Sequence, residues 1–277
     1  MTKVVVALAL AALAAGCGTG APAPRGPGTI VAARLADGLV LYRMNPDGSG
    51  AKRLSPPDGR DSQPAFSPDG RTIAFVRETI HGARLCAMDA KTGRVSVLHA
   101  LDDALAEPSW APSGDRIAYA DIDAIEILDV RTRTLTRVFR GYGEHPSWSP
   151  DGRKIAFERD VTDDDQSIWV MAADGTAAHR LTHPRGGAID HEPAWSPDGK
   201  EVAFQRDYDV WVVDVETGSE RRLARLADYP SWSPDGRRLL VWEARRPVSK
   251  TGLYVVDRRT RRSKLVARGL WTDSAWR

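Results

Sequence analysis

One short motif recurs five times along the 277-residue chain and constrains the fold more than any other feature. Each copy contains a proline, a small residue, an aromatic residue and then a tight turn of the Pro-Asp-Gly type, as in Pro146-Ser-Trp-Ser-Pro-Asp-Gly-Arg. The copies begin at Pro64, Pro108, Pro146, Pro193 and Pro230, at intervals of 44, 38, 47 and 37 residues. A period of this length indicates a repeat architecture such as a propeller.

Each period has the sequence of four consecutive β-strands. Pro150 presets φ for the turn that follows the first strand, and Gly152 accepts a positive φ where the chain re-enters the sheet. The next run, Ile155-Ala-Phe-Glu in this copy, suits a strand packed on both faces. A second hairpin follows, with an inner strand Ser167-Ile-Trp-Val-Met-Ala and an outer strand that ends in Arg180-Leu-Thr. Four strands per period form one blade of a β-propeller.

The two ends of the chain share a sixth blade. Segments 28–34, 39–44 and 51–55 have the pattern of a second, third and fourth strand, and the missing first strand is found at Asp273-Ser-Ala-Trp-Arg. We therefore predict an all-β, six-bladed β-propeller over residues 29–277, closed by pairing of the C-terminal strand with the N-terminal blade. Closure removes the open edge strands that an unclosed ring would expose.

The N-terminus is predicted to be a targeting segment. Lys3 precedes an apolar stretch from Val4 to Ala15, which is too short to span a bilayer as a helix, so residues 1–16 are interpreted as a signal peptide. Leu13-Ala-Ala-Gly-Cys17 resembles the bacterial lipobox, although Leu13 lies one place earlier than that motif prefers. The resemblance implies lipidation of Cys17 and anchoring to the extracytoplasmic side of the cell membrane, with residues 17–28 as a flexible tether. The alternative is cleavage and release as a secreted or periplasmic protein.

Charge and cysteine content restrict the function further. The formal net charge of +2 gives no general affinity for nucleic acid. Lysine and arginine are nevertheless concentrated in residues 236–268, which indicates either solvated hairpin tips or a contact with an anionic surface. After lipidation of Cys17 only Cys86 remains, and we expect it to be a small buried core residue. A zinc site built from cysteines is therefore excluded.

The full repeat is similar to that of the TolB-type, WD-like β-propeller family. It reads Pro-x-Trp-Ser-Pro-Asp-Gly-(Arg/Lys)-x-Ile-Ala-Phe, followed by (Ile/Val)-Trp-Val-(Met/Val) and Arg-Leu-(Thr/Ala), and it covers residues 28–277. The copy that begins at Pro108 departs from it, with Ala-Pro-Ser-Gly-Asp in the turn. The resemblance implies a periplasmic or cell-surface protein that acts by contact with other proteins. It also extends to the propellers of prolyl oligopeptidase-type enzymes, but the Gly-x-Ser-x-Gly motif of a hydrolase domain does not occur in this sequence.

The candidate site is the mouth of the central channel. Polar or aromatic residues immediately precede the innermost strand predicted for every blade: Gln63, Glu107, His145, Glu192, Tyr229 and Asp273. The loops between second and third strands add two equivalent pairs in consecutive blades, Arg159-Asp160 and Arg206-Asp207. These groups either cap the ends of the innermost strands or bind an envelope protein or a small ligand at a concave surface.

The sequence carries no diagnostic metal or cofactor motif. His145, His191, Glu192 and Glu107 are chemically suitable ligands, but they fall on different blades without a characteristic spacing. Asp163-Asp164-Asp165 lacks the glycine and the distal glutamate of an EF-hand loop. We therefore predict no cofactor, no metal and no catalytic residue.

The function predicted from the sequence is that of a non-catalytic, lipid-anchored binding module at the cell envelope. The alternative is a propeller enzyme, a lyase or hydrolase that acts at the channel mouth on a cell-surface polymer or a peptide. A deep pocket with paired carboxylates or a metal at the mouth would favour the enzyme, and a shallow polar funnel or an exposed apolar patch would favour the binding module.

Overall fold

The fold was analysed in a computed structural model that describes residues 28–35, 38–56, 60–101, 106–162 and 165–277. The predicted signal peptide (1–16), Cys17 and the tether up to residue 27 lie outside the described residues, as do Asp163 and Asp164. Within the described ranges, no helix combines the length and the apolar character needed to cross a membrane.

The described residues form 24 strands in six antiparallel four-stranded sheets, and each sheet is one blade. Blade 1 contains β24 (Trp271–Trp276), β1 (Ile30–Arg34), β2 (Val40–Met44) and β3 (Lys52–Arg53). Blade 2 contains β4 (Arg60–Phe66), β5 (Thr72–Thr79), β6 (Gly82–Asp89) and β7 (Val95–Leu101). Blade 3 contains β8 (Ser109–Trp110), β9 (Arg116–Asp121), β10 (Ala124–Asp129) and β11 (Leu135–Arg140).

The remaining blades have the same order. Blade 4 contains β12 (Glu144–Trp148), β13 (Lys154–Thr162), β14 (Asp165–Ala172) and β15 (His179–Arg180). Blade 5 contains β16 (Asp190–Trp195), β17 (Glu201–Arg206), β18 (Asp209–Asp214) and β19 (Glu220–Arg225). Blade 6 contains β20 (Ala227–Trp232), β21 (Arg238–Glu243), β22 (Gly252–Asp257) and β23 (Ser263–Arg268), with a short 3₁₀ turn (Val248–Lys250) before β22.

The ring closes through the two ends of the chain, as predicted. β24 pairs antiparallel with β1, from Ile30 opposite Trp276 to Arg34 opposite Trp271. The amide of Arg277 also donates a hydrogen bond of 2.8 Å to the carbonyl oxygen of Thr29. The predicted six-bladed propeller with a split first blade is therefore confirmed.

The core lies between neighbouring blades, because each sheet buries both faces against the next. One cluster joins Ile125 and Ile127 of blade 3 to Trp148, Ile155 and Phe157 of blade 4. Four tryptophans of the innermost strands are buried in this way, Trp148, Trp195, Trp232 and Trp276. A guanidinium covers several of these rings, as Arg116 does at 5.1 Å from the Trp148 centroid. Stacking of an arginine on an indole combines apolar contact with a cation–π attraction.

The repeated turn is stabilised by its own side chains. The Ser149 hydroxyl donates to Asp151 at 2.6 Å and accepts from the amide of Lys154 at 2.9 Å. Gly152 has a φ of 71° and so occupies the left-handed region that glycine adopts without strain. The Ser-Pro-Asp-Gly sequence therefore fixes the tight hairpin between the first and second strands of the blade.

Cys86 confirms the expectation of a buried residue. Its side chain is 1% exposed within β6, and burial raises the pKa of its thiol to about 11. A thiol with so high a pKa is protonated and poorly reactive at neutral pH.

Candidate functional site

The six predicted mouth residues share an unusual backbone conformation. Each has a positive φ, which non-glycine residues rarely adopt. The angles are 52° at Gln63, 39° at Glu107, 50° at His145, 55° at Glu192, 56° at Tyr229 and 35° at Asp273. We call these six residues the channel ring.

A β-bulge explains this conformation. The register between the first and second strands shifts at this point, for example between Glu144 and Ser147 in blade 4 and between His191 and Ala194 in blade 5. A bulge leaves a residue out of the ladder and turns its side chain. The sequence placed the ring residues before the innermost strands, whereas five of the six lie inside them and only Glu107 precedes its strand, β8.

All six ring residues line one cavity of about 440 Å³. Its lining continues along the innermost strands to Pro197 and Pro234, which belong to the Pro-Asp-Gly turns at the other end of the blades. The cavity is therefore the central channel, with the channel ring at one end. The predicted convergence of these side chains is present in the structure.

Hydrogen bonds connect ring residues of neighbouring blades. The Gln63 side-chain oxygen accepts from the amide of Glu107 at 3.2 Å, and Glu107 accepts from the amide of His145 at 3.3 Å. Glu192 likewise accepts from the amide of Tyr229 at 2.9 Å. These bonds satisfy amides that the bulges free from the ladder, so part of the ring links neighbouring blades within the innermost strands.

Between blades 4 and 5 this pattern is replaced by a buried carboxylate, Glu158 on β13. Its side chain is 2% exposed, and its oxygens lie 3.2 Å from Nδ1 of His145 and 3.0 Å from Nδ1 of His191. It also accepts from the amide of Glu192 at 3.4 Å and from the side-chain amide of Gln166. Glu158 is thus the hub of the polar cluster beneath the ring.

Burial shifts the titration of the ring carboxyls towards neutral pH. It raises the pKa of Glu107 and of Glu192 to about 7 each and also raises the pKa of Asp273. Burial opposes protonation of His145, but the carboxylates of Glu107 and Glu158 outweigh it and raise the pKa of the imidazole well above its usual value. For Glu158, burial alone would raise the pKa, yet His145 and His191 lower it to about 2.

The four predicted loop residues are not among those that line the cavity. Arg159 stacks 4.4 Å from the centroid of Trp169, and Asp160 is exposed. Arg206 lies at the end of β17 rather than in a loop and is bound to Asp190. Asp207 follows it in the turn to β18, with a φ of 50°. These residues belong to the structure of blades 4 and 5 rather than to the channel lining.

The basic segment 236–268 covers most of blade 6. Three of its eleven cations have carboxylate partners: Arg238 with Asp235, Arg245 with Glu243, and Arg258 with Glu201. The other eight are exposed: Arg237, Arg246, Lys250, Arg259, Arg261, Arg262, Lys264 and Arg268. These eight cations lie in loops at both ends of blade 6 and on its outer strand, so this blade carries exposed positive charge.

Two residues of the cluster were missed by the sequence analysis, Glu144 and Glu158. Glu158 occurs in a run that otherwise reads as a strand buried on both sides, where a carboxylate is unexpected unless it is paired. Comparison of the repeats would have singled out Glu158, because the equivalent position has no carboxylate in the other full blades. They have Val76, Ala120, Gln205 and Trp242 there.

The fold and the ring together define the class: a six-bladed β-propeller whose channel mouth carries three carboxylates, an imidazole, a phenol and an amide. Residues 77–276 match the TolB β-propeller domain. The chain belongs to this family, which confirms the resemblance seen in the repeats.

Solved structures share the fold at low sequence identity. TolB from Acinetobacter baumannii is 23% identical with a TM-score of 0.77; the match covers 90% of this chain and 66% of that one, slightly less than two thirds. A nidogen/laminin complex is 13% identical over 90% of this chain and 97% of that one, with a TM-score of 0.73. Oligogalacturonate lyase from Vibrio parahaemolyticus is 16% identical over 88% and 75%, with a TM-score of 0.61. No curated protein matches the chain significantly.

Proposed function

We propose that this chain is a non-catalytic binding module of the cell envelope, anchored through a lipid on Cys17 to the extracytoplasmic side of the membrane. Its ligand, a segment of an envelope protein or a small molecule, binds at the channel ring. The observation that carries the proposal is the convergence of six strained ring residues on one cavity. Strained backbone concentrates at sites of function.

The character of the ring supports a binding role. The family match and the TolB-like fold are compatible with a protein that acts by contact, and binding sites are typically concave with a few convergent polar groups. The exposed cations of blade 6 would face anionic head groups of the same membrane, each contributing about 1 kcal/mol. Release of the delipidated protein from anionic vesicles by added salt would measure that contribution.

Crosslinking in intact cells tests the binding function. A photoreactive amino acid at Tyr229 is expected to capture a specific partner or ligand, because this side chain lines the channel. Reversal of charge at the ring by Glu192→Arg should abolish the capture. Lys200→Glu, an exposed charge reversal in the turn at the opposite end of blade 5, should leave it intact.

The outcome of that experiment is decisive in either direction. Folding of each variant is checked by near-UV circular dichroism, so that loss of capture reports the ring alone. Equal capture by Glu192→Arg, or no specific product from the parent protein, would contradict a binding site at the channel mouth. The mass of the N-terminal peptide gives the acyl group on Cys17 independently.

A second function, that of an enzyme on a cell-surface polymer or a peptide, is favoured by one observation. Glu107 and Glu192 have pKa values of about 7, which suits proton transfer at neutral pH. An enzyme of this kind would turn over oligosaccharides or peptides, and Glu192→Gln would abolish turnover while leaving the fold intact. Absence of turnover across polymer and peptide substrates would reject this alternative.

A further inference from the structure

Blade 4 places two carboxylates directly opposite each other. Glu144 on β12 pairs with Glu158 on β13 in the antiparallel register. Like charges at directly opposed positions of a sheet destabilise it. The imidazoles of His145 and His191 lie beside Glu158 at 3.2 Å and 3.0 Å, and a cation between the two carboxylates would also neutralise Glu144.

The equivalent pairs in the other blades carry no second carboxylate. They are Ser62 and Val76, Ala106 and Ala120, His191 and Gln205, Asp228 and Trp242, and Thr272 and Ala33. The repeated architecture therefore does not require acidic residues here. The Glu144–Glu158 pair is a specific feature of blade 4.

His145 completes a set of metal-ligating groups. One ligand atom from each of Glu144, His145 and Glu158 lies within 4.8 Å of the others. Bonds of about 2.0–2.2 Å from nitrogen and oxygen to a tetrahedral ion place ligand atoms roughly 3–4 Å apart, so small side-chain rotations bring the three groups to bonding distance. Nδ1 of His145 is 3.2 Å from Glu158 Oε2, but it is buried and makes no hydrogen bond. A metal ion would satisfy this nitrogen.

Neighbouring side chains help to orient two of the three candidate ligands, His145 and Glu158. The other ring nitrogen of His145, Nε2, lies 3.7 Å from Glu107 Oε1, and a carboxylate beyond a ligating imidazole fixes its tautomer and orientation. Glu158 is held from its other oxygen by His191 at 3.0 Å. The bulge in β12 lies between Glu144 and Ser147 and so includes His145, whose imidazole shares the three-residue cluster with the Glu144 carboxylate.

We propose that Glu144, His145 and Glu158 bind a divalent transition-metal ion, such as Zn²⁺ or Mn²⁺, beside the channel, which His145 lines. Mixed imidazole and carboxylate ligands suit these ions, whereas Ca²⁺ and Mg²⁺ prefer oxygen alone. Three protein ligands leave at least one coordination position open to water or to another ligand. The proposal goes beyond the binding function and does not depend on it.

Titration of the purified, chelator-treated full chain with Zn²⁺ and Co²⁺ tests the site. We expect one saturable site per chain, and Co²⁺ should show the visible absorption bands of a low-coordinate complex. Glu144→Gln keeps the shape of a side chain that makes no hydrogen bond with another described residue, so it should fold normally. We expect it to weaken binding by at least about tenfold, as His145→Gln should also do.

Matched variants separate this site from adventitious binding. Glu192→Gln changes the equivalent ring position in blade 5, and His99→Gln removes an imidazole that packs against Tyr119 in a different part of the ring. Both should retain the parent affinity. The proposal is overturned if the parent chain shows no saturable Zn²⁺ or Co²⁺ binding, if Glu144→Gln and His145→Gln bind as tightly as the parent, or if equimolar Ca²⁺ displaces Co²⁺.

Discussion

At the scale of single residues, buried charges in this propeller are compensated in pairs across strands. Asp190 is fully buried on β16, and Arg206 on β17 binds both of its oxygens, one of them at 2.7 Å. Arg206 also donates a hydrogen bond of 2.6 Å to Glu220, and its guanidinium lies over the rings of Phe204 and Trp211. Blade 2 repeats the arrangement with Asp61 and Arg77, which shows that the pair belongs to the blade and not to the channel.

Removal of Asp190 should therefore destabilise the fold. Asp190→Ala leaves the Arg206 guanidinium, which is 13% exposed, without its buried partner. We expect a loss of about 3–5 kcal/mol in the free energy of unfolding, the usual effect of breaking a buried ion pair from one side. Urea denaturation of the two proteins measures it.

Glu220→Ala is the control for this prediction. Glu220 is 22% exposed, so its contact with Arg206 is more strongly screened by water and its removal should cost less. An equal loss in both variants would contradict the assignment of the stabilisation to the Asp190 pair.

At the scale of the element, the outer hairpins of blades 2, 3, 5 and 6 share a turn motif, Asp-x-x-Thr. Asp214 accepts hydrogen bonds from the amide and from the hydroxyl of Thr217, both at 2.8 Å. Asp89, Asp129 and Asp257 accept in the same way from the amide of the threonine three residues on. These bonds, the amide bond first, lower the pKa of each of the four aspartates below its usual 3.8.

The lowered pKa values of these aspartates predict how the free energy of unfolding changes with pH. A carboxyl whose pKa is lower in the folded chain than in the unfolded chain stabilises the fold above the unfolded pKa, and this contribution is lost as the pH falls through the folded pKa. Unfolding free energy should therefore decrease below about pH 4. Asp214→Asn should be less stable than the parent at pH 7, and the difference should vanish in acid.

Thermal unfolding followed between pH 7 and pH 3 measures this difference. Glu216→Gln neutralises another carboxylate of the same turn and should change the acid profile less than Asp214→Asn does. A constant difference between Asp214→Asn and the parent over the whole pH range would refute the role of the ionised carboxylate.

The strands could be predicted from the sequence where short local motifs determine them. The site at the channel ring could be predicted only in part. The Ser-Pro-Asp-Gly turn fixes the inner hairpin of four blades through its own side chains, so the strands and the six ring positions could be read from the repeat. The bulges were not predicted, because a positive φ at His145 or Glu192 has no signature in residues that are not glycine. Glu158 was missed because its role depends on contacts with His145 and His191 across two blades, which only the assembled ring creates.

At the scale of the whole molecule, stability depends on the pairing of β1 with β24, whose partners are 237 to 246 positions apart in the sequence. Trp276 and Trp271 of β24 are 7% and 5% exposed and pack with Ile30, Leu240 and Leu253, which belong to blade 1 and its neighbour, blade 6. Arg238 also lies 5.0 Å from the Trp276 ring. The terminal strand thus connects blade 1 to blade 6, and its loss would open the ring at an exposed sheet edge.

Loss of contacts made by β24 should lower the stability of the entire propeller and not of one blade alone. Trp276→Ala is expected to cost about 3–5 kcal/mol, because it removes a large buried ring and its inter-blade contacts. Val248→Ala, at a side chain that is 79% exposed, should change stability by less than about 0.5 kcal/mol. Deletion of residues 271–277 should be more severe than Trp276→Ala, since it also removes the ladder to β1. Calorimetry distinguishes the alternatives: a single transition shifted to lower temperature reports a closed, cooperative ring, whereas an unchanged main transition after deletion would mean that the five continuous blades are stable without closure.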